Sequence, residues 1–515
     1  MRNGTAAGSG AGKRATGGDS AAGNASASGN SSPAAQAAAL ADCARQVEQS
    51  GVELVRFAWC DTHGQLRGKT LTTQAAVAAL RTGVSMVSTL MLKDTADRTA
   101  FKVFEPGIAA ALPGFEFANN VQLHALPGSF HVLPWAQSTG WLQCQPVFHD
   151  GAPAPYDTRA QLQRALARLA EQGLTMVCGL EIEFHIYRLR DPLHDAAFDP
   201  AQSAWPPPAP AVSLIHPGYR LLAEDHFDLA EEPLRIVQHT AQALGLPLAS
   251  LEIELGPSQV EAVFSATDAL VAADNMVLFR SAVKQSLRRA GYHATFMCRP
   301  PFDNIMSSGW HLHQSLVQLD DGRNAFMREA AAAGSTRSDA RHTLSDLGAQ
   351  YLAGLLQHAK GMTVLCTPTV NGFGRFRPNA LAPQSILWGL DNRGAMLRVI
   401  GGAGDAATRI ENRLGEPAAN PYLYMAAQIH AGLAGVEQNL AAPPATESPY
   451  ADTQARIPAT LPDALAAFAQ DSAMSSGFGA DFVRWYSAIK ASEQQRYEAA
   501  EDKTEFQRRE YFGRI

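Results

Sequence analysis

The chain has 515 residues, 46% hydrophobic and 18% charged, with 42 Lys and Arg against 49 Asp and Glu for a net charge of −7. That balance specifies a globular protein with room for two to four domains and excludes a disordered or fibrous chain. The slight acidity offers nucleic acid no basic footprint, and no run of about 18 apolar residues is available to cross a membrane.

Residues 1–40 contain 27 Ala, Gly or Ser. Such a segment buries too little surface to offset its ordering entropy, so disorder is expected there, with order from about Ala41. It lacks the apolar core of a secretory signal, so the expected location is cytoplasmic. Cys43, Cys60, Cys144, Cys178, Cys298 and Cys366 are scattered without metal-site spacing and read as small buried hydrophobes. From Val52, Val-Glu-Leu-Val-Arg-Phe-Ala-Trp reads as a strand. Asp61 to Gly64 reads as a tight turn, and Leu66 to Leu71 as the returning strand. A helix over Thr73 to Arg81 and further strands complete a small domain, 41–150. Arg159 to Gln172 carries apolar residues at helical spacing before Gly173 and opens a second domain, 151–515. Trp205-Pro206-Pro207-Pro208 reads as a surface loop, and 493–509 as a solvated helix face.

Four strand-like segments carry charge or imidazole on one face. Alternation puts Glu181 and Glu183 on one side of Gly179–Phe184, with Ile182 and Phe184 on the other. A Gly-Pro turn brings Glu254 and Glu261 together. His311, His313 and Ser315 share a face of Trp310–Ser315, as do Arg409, Glu411 and Arg413 of the last segment. Any one alone reads as the wet face of an antiparallel sheet. Together, paired glutamates flanked by apolar residues repel and need a compensating cation. Carboxylate ligation with one imidazole suits Mg²⁺ or Mn²⁺. Arginines beside such ions suit an anionic substrate, and the combination points to phosphoryl transfer without a Walker-type loop.

Six blocks in order carry a resemblance to the glutamine synthetase superfamily: Phe57 to Lys69, Gly179 to Phe184, Glu254 to Glu261, Thr295 to Ser315, Asn371 to Arg398, and Arg409 to Tyr422. The resemblance implies an α+β fold, with an N-terminal β-grasp domain and a C-terminal catalytic domain built on an antiparallel half-barrel sheet with surrounding helices. It implies a homo-oligomeric ring, hexamer or dodecamer, with sites between subunits. Glu183, Glu254 and Glu261 match the ligands of one divalent metal, and Glu181, His311 and Glu411 those of another. His313 and Ser315 match nucleotide positions. Arg393, Arg398 and Arg409 match arginines that face the phosphates, and Arg375 and Arg413 match those that hold glutamate. Asp61 matches an aspartate that a neighbouring subunit offers to ammonium. The implied chemistry is ATP-dependent phosphorylation of the glutamate γ-carboxylate, followed by attack of a nitrogen nucleophile.

Two departures bear on that nucleophile. Where the family places a glutamate that deprotonates ammonium, within Pro378 to Pro383, this chain has Leu381. Upstream of His311, an expected Asn-Gly-Ser-Gly reads Met306-Ser307-Ser308-Gly309, so the loop carrying Ser307 and Gly309 toward substrate is altered. The expected reaction is therefore γ-glutamyl amide formation from an aryl-, alkyl- or polyamine. The alternatives are an ammonia-dependent glutamine synthetase, a catalytically silent ring-forming homologue, and a metallohydrolase built on His311 and His313.

Overall fold

The computed structural model describes residues 32–190, 203–377, 381–451 and 455–515. The first helix spans Pro33–Gln49, capped by the Ser32 hydroxyl on the Ala35 N–H. Order thus begins eight residues before Ala41, because Ser-Pro supplies a cap and a first helical residue that the Ala-rich composition conceals. Residues 1–31, where most of the expected disorder falls, lie outside the described residues, as do Pro378, Asn379 and Ala380.

The N-terminal sheet contains β1 (Leu54–Cys60), β2 (Leu66–Thr72), β3 (Val84–Val87), β4 (Asn120–Ala125), β5 (His131–Val132) and β6 (Thr139–Val147). Its order is β2-β1-β6-β4-β3, with β5 also on β6; β1 runs parallel to β6, and the helix Thr73–Thr82 follows β2. The predicted hairpin forms in register from Leu54 opposite Thr72 to Cys60 opposite Leu66. Gly64 closes its turn at φ +72°, and a Cβ there would meet Arg280 Nη2 at 2.3 Å. Arg280 occupies that space to clamp the two sheets together. It donates to the carbonyls of Gly64 (3.1 Å), Pro417 (2.7 Å) and Ala419 (2.8 Å).

The second sheet holds β7 (Leu174–Leu189), β8 (Val212–Leu214), β9 (Leu248–Ile253), β10 (Gln259–Asp268), β11 (Tyr292–Thr295), β12 (Trp310–Gln318), β13 (Trp388–Leu390), β14 (Leu397–Ile400) and β15 (Arg409–Gly415). Its order is β13-β14-β15-β12-β7-β10-β9, with β8 and β11 also pairing with β7, and only β13 and β14 run parallel. The result is a nearly closed, largely antiparallel sheet with helices on its apolar side, the α+β arrangement the resemblance implies. Leu180, Ile182 and Phe184 of β7 point inward toward the helices, Phe184 stacking on Phe296 at 4.9 Å between ring centroids. The helix Pro421–Glu437, buried along most of its length, packs against Thr158–Ala170, Ala269–Arg289 and Asp346–Gln357. Each fully buried large apolar side chain contributes about 1.5–3 kcal/mol, which offsets the repulsion stored among the carboxylates across the sheet. Among the described residues, no helix is long and apolar enough to cross a membrane.

One surface reading changes. The 493–509 segment is not a solvated face: Glu493 is fully buried, paired with Lys490 and accepting from the Tyr511 hydroxyl. Arg496 bridges Asp94 (2.9 Å) and Glu510 (2.6 Å). The charges suggested solvent; here they pair across elements, which sequence spacing does not record. The Pro-rich loop is exposed at Trp205, yet its indole N–H donates to Ala96 O at 2.6 Å and Arg98 lies 5.0 Å over the ring.

Candidate active site

Strand register assembles the site. In antiparallel ladders, opposed residues point to the same face. Here Glu261 opposes Glu183, Glu181 opposes His311, His313 opposes Glu411, and Glu411 opposes Arg398. Strands β10, β7, β12, β15 and β14 thus set seven chemically active side chains in one row. Alternation turns Leu180, Ile182 and Phe184 of β7 and Leu312 of β12 to the opposite side.

Two groups of ligand atoms converge. Glu181, His311 and Glu411 form one, and Glu183, Glu261 and His311 the other; within each, the atoms lie within 4.8 Å of one another. The first matches the expected set. The second replaces Glu254 with His311, whose Nε2 lies 3.8 Å from Glu183 Oε1, while Nδ1 lies 3.3 Å from Glu181 and 3.7 Å from Glu411. Glu254 stands at the end of β9, one Oε accepting from the Leu255 N–H at 3.1 Å.

The electrostatics are those of crowded carboxylates. Burial, then the charge of Glu183, raises the Glu254 carboxyl to about 8. Burial and the charges of Glu183, Glu181 and Glu254 raise Glu261 to about 10. Glu181 goes the other way: burial works to raise it, but hydrogen bonds from His311 and His313 hold it well below the carboxylate range. Glu411 is held down despite burial by His311 and Arg413, with Arg413 Nη1 at 2.5 Å and Arg398 Nη1 at 3.1 Å. Two raised carboxyls facing two lowered ones are the pattern of a cation-binding centre. The oxygen-rich donor set fits a hard divalent ion.

Around this centre, Arg375 is buried, with Nη1 held by the carbonyls of Arg413 (2.9 Å) and Gly415 (3.2 Å). Its other nitrogen crowds Gly309, where a Cβ would lie 2.5 Å from Nη2. Glycine is required there by close approach. The Gly309 N–H donates to Glu183 Oε2 at 3.0 Å, while Ser307 Oγ accepts from Arg299 at 3.3 Å. His313, Ser315 and Arg409 line a cavity of about 550 Å3 with Val177, Val263 and Phe264. Arg409 Nε donates to His313 Nδ1 at 3.1 Å, leaving Nε2 of that ring 2.9 Å from Glu181.

Arg393, Asp61 and Leu381 stand apart from this centre and the residues packed around it. Arg393 is exposed on the turn between β13 and β14, lining a separate cleft of about 590 Å3. Asp61 is buried within its own hairpin turn. It accepts from the N–H groups of His63 and Gln65 at 2.9 Å each and pairs with Arg67 at 2.6 Å. Leu381 is 57% exposed at φ +52°, and meets the site through its carbonyl, which accepts from Arg413 Nη2 at 3.2 Å.

Gln259 went unassigned in the sequence. It is buried, with Nε2 donating to Glu183 Oε2 (2.9 Å) and Ser308 Oγ (3.0 Å), and Oε1 accepting from Gly256 N–H (2.9 Å). The signal was present: two residues before Glu261 on one strand, it shares that glutamate's face. Asp391, which braces Arg398 at 2.5 Å, had no such signal because it comes from a turn. His216 and His226 stack at 5.5 Å behind the β9–β10 turn, His216 Nε2 lying 3.1 Å from Gln259 O; His239 is exposed. Trp388 is a packing residue, fully buried and donating to Pro443 O at 2.7 Å.

Residues 155–509 match the family model for the glutamine synthetase catalytic domain. The chain belongs to the glutamine synthetase family. Members are ATP-dependent ligases that use divalent metals, and this glutamine synthetase family protein is an ATP-dependent carbon–nitrogen ligase. It is similar to a γ-glutamylanilide synthase of Acinetobacter, 35% identical over 485 residues, covering 91% of this chain and 94% of that one. It is 29% identical to a γ-glutamylethanolamide synthetase of Streptomyces coelicolor, with the same coverage of each chain. It is 31% identical to a glutamine synthetase of Clostridium saccharobutylicum, over 79% of this chain and 82% of that one. Among solved structures it resembles a GmaS/ADP complex, with a TM-score of 0.71, 27% identity, and coverage of 90% and 97%. These likenesses fit the amine-ligase branch of the family.

Proposed function

We propose that the protein joins the γ-carboxylate of L-glutamate to an organic primary amine at the expense of ATP, acting as a γ-glutamyl-amine ligase in a ring of identical subunits. The observation that carries this reading is Leu381, where an ammonia-using site needs a carboxylate. An isobutyl group neither attracts ammonium nor accepts its proton. A weakly basic arylamine arrives neutral at pH 7 and dispenses with that base; the likeness to the γ-glutamylanilide synthase agrees.

In this reading, Glu181, Glu183, Glu254, Glu261, His311 and Glu411 hold the divalent ions. When bound, these neutralise charge on the transferring phosphoryl group. The apolar cavity at His313, Ser315 and Arg409 takes the nucleotide, and Arg398, braced by Asp391 and Glu411, faces its phosphates. Arg375 and Arg413 orient glutamate, their forks already fixed by backbone carbonyls and by Glu411. Preset donors of this kind lower the barrier because they need not reorganise as charge develops. A carboxylate oxygen attacks the terminal phosphorus and ADP leaves. The amine nitrogen then attacks the acyl carbon, phosphate departs with its bonding pair, and the nitrogen loses a proton.

The test is ADP and phosphate release with glutamate and a panel of ammonium, ethanolamine, a polyamine and aniline. The expected order puts an organic amine above ammonium in kcat/KM by at least about tenfold, or roughly 1.4 kcal/mol. Ammonium equal to the best amine refutes the reading. Absence of turnover with every nucleophile, combined with no rise in Tm on adding ATP and Mg²⁺, would instead favour a silent homologue.

A further inference from the structure

The Pro-rich insertion, which the proposed reaction does not use, forms one wall of a second cavity of about 440 Å3 through residues 207–211. The rest is strongly basic. Lys284 and Arg288 stand one turn apart on the helix Ala269–Arg289, His293 comes from β11, and Arg509 and Arg514 come from the C-terminal segment. Among the described residues, no Asp or Glu lines the cavity. None of these five forms an ion pair with a carboxylate among the described residues.

Their partners are backbone carbonyls, which fix position without cancelling charge. Lys284 Nζ donates to Arg514 O at 2.6 Å, Arg509 Nη2 donates to Pro206 O, and His293 Nε2 lies 2.8 Å from Phe512 O. The Nε–H groups of Arg509 and Arg514 are buried without an acceptor among the described residues. Burial first, and then the charges of Arg280 and Arg514, lowers Lys284 to about 7. Cations are brought this close at a cost that a bound anion would reverse, and Arg forks with orphan N–H groups match planar or tetrahedral oxyanions.

We propose that this cavity binds a compact multivalent oxyanion, a phosphate group or a small polycarboxylate, at a site separate from the carboxylate cluster and the nucleotide cavity. Its occupant ties the long helix, β11 and the C-terminal segment together. The proposal stands independently of which amine the enzyme uses.

The experiment is calorimetric titration of protein stripped of metal with a chelator that is then dialysed away, at low ionic strength, where the glutamate cluster repels anions, with inorganic phosphate and separately with citrate. One saturable site per chain is expected, weakened at least about tenfold in Arg288→Gln/Arg509→Gln, whose anion-free Tm and amine-dependent ADP release stay at wild-type values. Should the double variant lose its fold, Arg288→Gln alone carries the expectation at about threefold. Tighter phosphate identifies a phosphorylated ligand and tighter citrate a polycarboxylate. No saturable binding of either up to about 10 mM, or equal affinity in wild type and variant, overturns the proposal.

Discussion

Loading the centre with metal should expel protons, and the structure sets how many. With Glu254 at about 8 and Glu261 at about 10, both carboxyls carry a proton at pH 7 in the metal-free protein. A divalent cation binds the ionised forms, so saturation at pH 7 should release up to about two protons per chain from the pair. Isothermal calorimetry with Mn²⁺ in two buffers of different ionisation enthalpy reads that number directly. Metal affinity should climb roughly a hundredfold from pH 6 to pH 7, then less steeply above pH 8. The same shifts fix the sign of the stability change. Folded-state values above the unfolded 4.5 mean that the folded chain holds protons the unfolded chain has lost. Metal-free stability is therefore greatest below pH 4.5, as far as these groups act, and falls as pH rises toward 8 and then 10. The Tm gain on adding Mn²⁺ should grow across that window. Glu261→Gln should cut the release to about one proton. Release below about half a proton per chain, or an unchanged value in that variant, would refute the account of the centre as a set of mutually repelling carboxylates.

Gly309→Ala would place its methyl 2.5 Å from Arg375 Nη2 and 3.1 Å from His311 Nε2, so a fall in kcat/KM of about a hundredfold is expected with a near-normal Tm. Gln259→Ala should weaken Mn²⁺ binding by about tenfold, because Glu183 loses one of the two donors that orient it, keeping only the Gly309 N–H; calorimetry checks this. Leu381→Glu should raise kcat/KM for ammonium by about 10²-fold relative to aniline, and an unchanged ratio in steady-state ADP release would show that the side chain does not face the nucleophile. Lys490→Met should lower stability by about 3–5 kcal/mol in denaturant unfolding, since it strands the fully buried Glu493.

The sequence disclosed much of the centre because strand alternation is a rule with a fixed period. Knowing that Glu181 and Glu183 share a face, and that His311 and His313 do, required no coordinates. Which strands lie side by side did require them: the opposition of Glu261 with Glu183 and of Glu411 with Arg398 is a matter of register between segments far apart in the chain. The charged run around Glu493 misled for the same reason, since its partners Asp94, Glu510 and Tyr511 come from other elements. Gln259 was legible by alternation but lacked a charge to draw notice. The helix at Pro33 was hidden by composition, which averages over the single Ser-Pro pair that starts it.

Strand β7 supplies a glutamate to each ligand group from residues two apart, while also pairing with β8, β10, β11 and β12. A single inserted or deleted residue there would invert both carboxylates at once and drive Ile182 and Phe184 into the cleft. The two candidate ligand groups are consequently inseparable by drift. Change is borne more easily by the connecting segments, such as the one bearing Leu381, which lies outside the strand ladder.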